Sequence, residues 1–472
     1  MAKIDRDLKN VIRYMEQELR VSENFDLVCR TITLGKYHCA VYCISGFTKS
    51  ELLEKLLEAM MKQADGKETN TLEDFSQSVI PFAATELLGE YETAILNLLS
   101  GQTVLFIDGF DRCIVMDCRS YPARSVSEPE KDKTLRGSKD GFVETLILNA
   151  ALIRRRIRDP LLTIETLHAG RRSMTDIALC YIEDRIDRKM LDKIREKIKC
   201  LDVDSLTMNQ QSLAECLYPY KWYNPFPKFK FTERPDTAAA SVLEGNLVVL
   251  VDNSPSAMVL PSSVFDIIEE ADDYYFPPIT GTYLRFSRLL ISMFTLWITP
   301  VWLLLIQNPQ WLPPWLEFIK VKEAINVPII LQLLILELAI DGLRLAAVNT
   351  PNMLTTPLSV MAALVLGEFS VKSGWFNSEP LLYMAFVSVA NYTQSSFELG
   401  YAVKFMRLIT LILTYLFNLP GFIIGQIITV GAIVSNRTIT GHSYLYPLFP
   451  FSWKAIKRRL FRVRIRHGEK QQ

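Results

Sequence analysis

Ile329–Val348 reads IILQLLILELAIDGLRLAAV, apolar and long enough to cross a bilayer, which takes about 20 residues of helix. Yet the stretch carries Glu337, Asp341 and Arg344. Spacings of four and three put all three on one helical face, within side-chain reach of one another. Charges at bilayer depth are costly and are tolerated when they pair or line a polar cavity. Either way this helix must face protein or water, so the C-terminal half is expected to be a multi-helix membrane assembly. Arg344 has two acids within one to two turns. A closed local pair is therefore the simplest solution, with a structural salt bridge between packed helices or pairing to a neighbouring subunit as the alternatives.

Outward from that helix the chain divides into two compositions. Across its 472 residues, 52 Lys and Arg balance 52 Asp and Glu, and 49% of residues are hydrophobic. These averages hide a charged, mixed segment up to about Arg288 and an apolar one from Leu289 to Val434. The balanced charge offers no basic field for nucleic acid. The first twenty residues form a charged amphipathic pattern without the apolar run of a signal peptide, so the N-terminal half is expected on the cytoplasmic side. All eight cysteines lie in that half, as suits a reducing compartment. His38, Cys39 and Cys43 sit close together without a second ligand pair, and no metal site is expected there.

In the first part, Leu27–Thr33 and Cys39–Ile44 read as strands, and Thr48–Gln63 and Glu86–Leu99 as amphipathic helices. TVLFIDGFDRCIVMD then reads as a hairpin turning at Asp108-Gly109, a type I′ signal that accounts for Asp108 without chemistry. Beyond Ser120 comes RSVSEPEKDKTLRGSKDGFVETLILNAALIRRRI. A polar, glycine-bearing loop ahead of a helix suits an anion, with Asp140 as the cap. It lacks the spacing of a phosphate cradle or a dinucleotide fingerprint. The reading preferred for its charges, Arg124, Glu128, Arg136, Glu144, Arg154, Arg155 and Arg156, is an inter-subunit or inter-subdomain surface. Leu161–Leu167, Met174–Ile182, Asn246–Asp252 and Ser256–Leu260 read as strands, and Arg188–Ile198, Gln210–Leu217 and Thr237–Leu243 as helices. YNPFPKFKFTERPD connects them. Strand and helix in alternation predict an α/β half of two subdomains with mixed sheets. With four histidines and no nucleophile–base–acid motif, no enzymatic centre and no cofactor are expected.

In the apolar half, Leu289–Ile306 is the first expected span, behind an aromatic and basic collar from Asp272 to Arg288. Leu354–Lys372 is a short helix. Its Leu358, Met361, Val365, Glu368 and Lys372 share one face and are the candidates for lining a conduit. Leu364 points away from that face. Leu381–Leu399 is a polar span, and Phe405–Val434 is either one long kinked helix or two short segments. The tail KAIKRRLFRVRIRHGEK is strongly basic and so expected inside. Four full spans plus one or more shorter helices keep both ends on that side. The domains expected are 1–120 and 121–285 (the two α/β subdomains), 286–440 (an all-α multi-span membrane domain) and 441–472 (a basic tail).

These strings resemble the A-subunit family of spore germination receptors (GerA type). RSVSEP, RGSKDGF and NAALIRRRI are similar to its first signature region. NPFP with TERPD, LVDNSP and DDYY are similar to its second, and LRLAAVNTPN to its membrane segment. The sequence departs mildly in carrying Arg136-Gly137-Ser138-Lys139, where the family has RGP before a basic residue. The resemblance implies a multi-pass subunit of the inner membrane of the spore, with both termini on the core side. It implies a homo-oligomeric ring, a pentamer on that reading, that releases ions in company with other germination membrane proteins. A non-conducting scaffold or signalling subunit is the alternative, and a secondary transporter the second. A transporter would carry inverted repeats, and no internal repeat is legible.

Overall fold

In the computed structural model, which describes residues 2–64, 69, 71–82, 84–121, 137–218, 223–349, 360–361, 363–439, 441 and 443–462, the first half of the chain builds two five-stranded sheets of identical strand order. The first follows α1 (Leu8–Leu19). It contains β1 (Leu27–Leu34), β2 (Tyr37–Ile44), α2 (Ser50–Ala64), α3 (Leu72–Val79), β3 (Thr85–Leu88), α4 (Tyr91–Leu99), β4 (Thr103–Ile107) and β5 (Cys113–Met116), ordered β1-β2-β4-β5-β3. The second follows α5 (Leu146–Arg156). It contains β6 (Leu162–Ala169), β7 (Thr175–Ile182), α6 (Arg188–Lys199), α7 (Asn209–Leu217), β8 (Lys230–Thr232), α8 (Pro235–Leu243), β9 (Leu247–Val251) and β10 (Ala257–Leu260), ordered β6-β7-β9-β10-β8. Helix, hairpin, two helices, edge strand, helix, hairpin: one topology occurs twice. The repeat lies in the order of elements and escaped the sequence reading.

Every pairing among these strands is antiparallel, which corrects the expectation of mixed sheets. Alternating helix and strand suggests parallel crossovers. Here the hairpins have short connections, such as residues 35–36 and 108–112, and short connections join only antiparallel neighbours, while pairs such as β2-β4 and β3-β5 are antiparallel across longer connections. Two edge strands went unread. Glu86-Leu87-Leu88 has helical composition, but its pairing with β5 makes it strand, because tertiary pairing outweighs propensity. Lys230–Thr232 lies inside the proline-punctuated connector and pairs with β10.

Helices cover both faces of the first sheet. Ala40, Tyr42, Val104, Phe106 and Val115 pack with α1 and α4, while Cys39, Val41, Leu105, Ile107 and Ile114 pack with α2 and α3. Burial on both sides is why β4 reads as an unbroken apolar run. The turn after it is longer than a two-residue hairpin. Gly109 takes a positive φ of 88°, and Asp108 Oδ1 accepts the amide of Leu8 at 3.0 Å, capping α1. Asp140 does not cap α5. Thr145 stands there, the first helical amide donates to Asp252 Oδ1 at 3.1 Å, and Asp140 pairs with Arg156.

The chain divides into two compact units, one holding the described residues up to 218 with 229–261, the other 223–228 with 262–462. The second unit is helical. It comprises Val264–Ile268, Asp272–Tyr275, Pro278–Gln307, Ile329–Asn349, a π-wound turn Ala363–Phe369 continued by Ser370–Lys372, Ser378–Asn391, Phe397–Ser435 and Trp453–Leu460. Pro278–Gln307 and Phe397–Ser435 are, among the described residues, the two helices long and apolar enough to cross a membrane.

The second of these is two rods. Asn418 leaves helical geometry (φ 56°, ψ −134°), with Pro420 behind it. A Cβ on Gly425 would lie 2.8 Å from Cα of Thr410, whereas a straight helix would hold those residues about 22 Å apart. The chain therefore doubles back at Asn418, and glycine permits the close approach. Of the two readings the sequence left open, the structure takes two segments, 397–417 and 419–435. The polar span expected at Leu381–Leu399 is also corrected: the helix Ser378–Asn391 ends first, and a new one begins at Phe397 under a Ser396 cap.

Candidate functional site

The helix Ile329–Asn349 buries Ile329, Ile330, Leu333 and Leu336 against Trp302, Leu303, Met384 and Leu411. That packing turns Glu337 inward, toward the rod 397–417. Arg407 Nη2 donates to both oxygens of Glu337, each at 2.7 Å, and its Nη1 donates to the carbonyl of Thr295 at 3.4 Å. Lys404 Nζ reaches Glu337 Oε1 at 3.2 Å and also pairs with Asp341. Two acids four residues apart on one helix meet two cations three apart on another, so the pairs interlock and the formal charges cancel. Glu337, Lys404 and Arg407 are all buried. In such surroundings an ion pair holds because each partner offsets the other's desolvation.

Arg344 is not part of this cluster, which corrects the expected local pair with Glu337 or Asp341. Its guanidinium stands over the rings of Tyr392, at 5.0 Å, and Tyr401, at 5.3 Å, a cation–π arrangement. Helical spacing allowed the local pair, but the acids turn toward a neighbouring helix. The next apolar span was taken to begin at Phe405, so Lys404 looked like a flanking charge, and Arg407 inside that span was not assigned a partner. Their spacing of three on an apolar helix was the signal available. Two reciprocal amide pairs add to the packing: Gln332 with Asn377, both contacts at 2.8 Å, and Asn308 with Asn418.

A second ionic cluster gathers where the first long helix begins. Arg288 grips the fully buried Asp273 with 3.1 and 3.2 Å contacts and reaches Glu270 at 2.7 Å. Arg285 and Arg459 share Glu269 at 2.7 and 2.8 Å. The aromatic and basic collar of the sequence thus folds into an internal network.

Of the conduit candidates, Leu358 lies outside the described residues. Met361 and Val365 are 62% and 54% exposed, and Glu368 and Lys372 are exposed and paired with each other at 2.5 Å. Leu364, expected to face elsewhere, is exposed as well. The π winding of 363–369 alters the angular step between side chains, so the α-helical face drawn through these positions does not carry over.

Of the interface candidates, Arg124, Glu128 and Arg136 lie outside the described residues. Glu144 is exposed. Arg155 covers the ring of Tyr121 at 4.8 Å, and Arg156 binds Asp140 at 2.6 Å. Burial pushes the Asp140 carboxyl up, but Arg156 and Ser138 outweigh it and hold the group below its ordinary value. Arg154 is fully buried and unavailable to a neighbouring subunit. It donates to Asp26 at 2.7 and 2.8 Å, to Asn24 at 3.1 Å and to the carbonyl of Leu162 at 3.1 Å, joining the two sheets. No group of His, Cys, Asp and Glu able to hold a metal occurs among the described residues.

Residues 13–472 match the family described as Bacillus/Clostridium GerA spore germination protein. Stage V sporulation protein AF of Bacillus subtilis is 34% identical over 451 residues, 95% of this chain and 91% of that protein. Spore germination protein KA of the same organism is 27% identical over 455 residues, covering 95% and 83%. The N-terminal domain of the A subunit of the Bacillus megaterium spore germinant receptor GerK3 aligns with 24% identity and a TM-score of 0.42, over 55% of this chain and 96% of that one.

Proposed function

This chain belongs to the GerA spore germination protein family, and from that membership we propose that it is a membrane subunit that assembles into a ring and conducts ions during germination. The reading assigns it no enzymatic reaction and expects other germination membrane proteins as partners. The inner membrane of the spore is its proposed site, with both termini on the core side.

The helical unit is read as four full spans plus shorter helices. The first long helix runs outward and Ile329–Asn349 returns. The chain is back at the outer end by Asn377, which pairs with Gln332 near the start of the returning helix. The two rods hinged at Asn418 are the other two full spans, an even number, and Ser378–Asn391 is one of the shorter helices. The Glu337–Arg407 cluster then sits at bilayer depth, where pairing is what makes charge tolerable.

The observation that carries conduction is the turn Ala363–Phe369. It abandons α geometry and leaves Leu364, Val365, Glu368 and Phe369 exposed. A π-wound stretch is frequent at functional positions, and an apolar constriction beside a ring of acids is a recognised gate. Five copies around such a turn would close a pore by dewetting. Val365→Ser in proteoliposomes is expected to leak monovalent cations without stimulus, while wild-type protein stays closed until triggered. A Val365→Ser protein as tight as wild type, in vesicles where wild type conducts on stimulation, refutes this gate. No flux from either under any stimulus favours the scaffold.

A further inference from the structure

The basic tail has no part in the proposed channel, and its described part is held by several contacts. Arg462 donates its amide to Thr282 Oγ1 at 3.1 Å, Arg285 Nη1 donates to the carbonyl of Arg459 at 3.0 Å, and the ring of Phe461 stands 5.6 Å from that of Phe286. The helix Trp453–Leu460 is thereby fixed beside residues 282–286, the polar start of the first long helix. Its inner face buries Ile456 and holds Arg459 on Asp266 and Glu269. At 100° per residue, Trp453, Lys454, Lys457 and Phe461 share the opposite face, and all four are exposed. The loop before it presents Phe449, 70% exposed, and Phe451, 69% exposed. Aromatic rings and lysines alternate over this surface, and the sequence from 443 to 468 has no Asp or Glu.

We infer that residues 446–461 form an interfacial anchor for anionic phospholipid, with Phe449, Phe451 and Trp453 at the boundary between headgroups and acyl chains and Lys454 and Lys457 on the phosphates. This rests on the reading of Pro278–Gln307 as a span, whose inner end sets the depth of the anchor. Aromatic rings belong at that level, and an amphipathic helix rich in lysine lies in its plane. A second copy of the chain fits worse: a face with two lysines and no carboxylate repels its own image. Each lysine near an anionic surface multiplies retention by roughly fivefold, so the pair is worth about 25-fold.

The test uses the full-length chain in vesicles of phosphatidylcholine mixed with phosphatidylglycerol, with either lipid brominated in turn to quench tryptophan. Subtracting the Trp453→Phe protein isolates the emission of Trp453. The inference expects quenching by both brominated lipids, stronger from phosphatidylglycerol, with that preference lost in Lys454→Gln/Lys457→Gln. Equal quenching by the two lipids, unchanged in the double variant, overturns anionic recognition. Unquenched Trp453 in a chain that resists alkaline carbonate extraction overturns the anchor while leaving the spans intact. In that case, disulfide cross-linking through a Trp453→Cys substitution would identify a second copy as the occupant. A chain extracted by carbonate overturns the membrane reading itself.

Discussion

Replacing Arg154 with methionine is expected to loosen the two sheets of the N-terminal half from each other. The guanidinium is 0% exposed and Asp26 1% exposed. Four donations disappear with it: two to Asp26, one to Asn24 and one to the carbonyl of Leu162. Asn24 Oδ1 keeps a partner in the amide of Ile164 at 2.7 Å, and the backbone contact from Phe25 to Ile164 at 3.2 Å also survives. Asp26 is left as a buried carboxylate without its cation. Breaking a buried pair from one side costs about 3–5 kcal/mol, far more than the pair's net worth. The expectation is therefore asymmetric: Arg154→Met should lose about 3 kcal/mol or more, and adding Asp26→Leu should recover much of it. Urea unfolding of residues 1–261, followed by far-ultraviolet circular dichroism and tyrosine fluorescence, reads both values. Because the two sheets are separate cores, the single variant should also split the transition, the sheets unfolding apart. A loss below about 1 kcal/mol for Arg154→Met, or a double variant as unstable as the two single losses summed, would refute the argument.

Three further outcomes follow from the same geometry. Arg407→Met should reduce accumulation of the folded membrane protein severely, and Glu337→Gln added to it should restore part; thermal unfolding in detergent measures both, and an Arg407→Met protein of wild-type stability sinks the cluster. Arg344→Gln should cost far less than Arg407→Met, since it loses ring contacts without stranding an acid; equal losses in the same assay would return Arg344 to the ionic network. Burial pushes the Cys39 and Cys113 thiols up to about 12, so both stay protonated at neutral pH, while Cys200 is exposed. Alkylation of the native chain followed by mass mapping should mark Cys200 first, and early modification of Cys113 would contradict the sealed sheet.

What the sequence determined by itself is local or compositional. The division into a mixed half and an apolar half, the strands Leu27–Thr33 and Met174–Ile182, the helix Arg188–Ile198 and the charges inside Ile329–Val348 are all legible because hydrophobic period and charge need no knowledge of neighbours. The family, too, is legible, since its strings recur along the chain with only a mild departure at Arg136-Gly137-Ser138-Lys139.

Only the tertiary structure decided which charges meet. Glu337 and Arg407 lie 70 positions apart, and Asp26 and Arg154 128 apart. Helical spacing can propose Arg344 for Glu337, but rotation of the helix against its packing partners settles the choice, and rotation is a property of the whole bundle. The same holds for the sheets. Glu86-Leu87-Leu88 becomes a strand because β5 presents an open edge, and 397–435 becomes a hairpin because Gly421 and Gly425 admit the returning backbone. Short-range energies are small and nearly balanced at such places, so long-range packing breaks the tie.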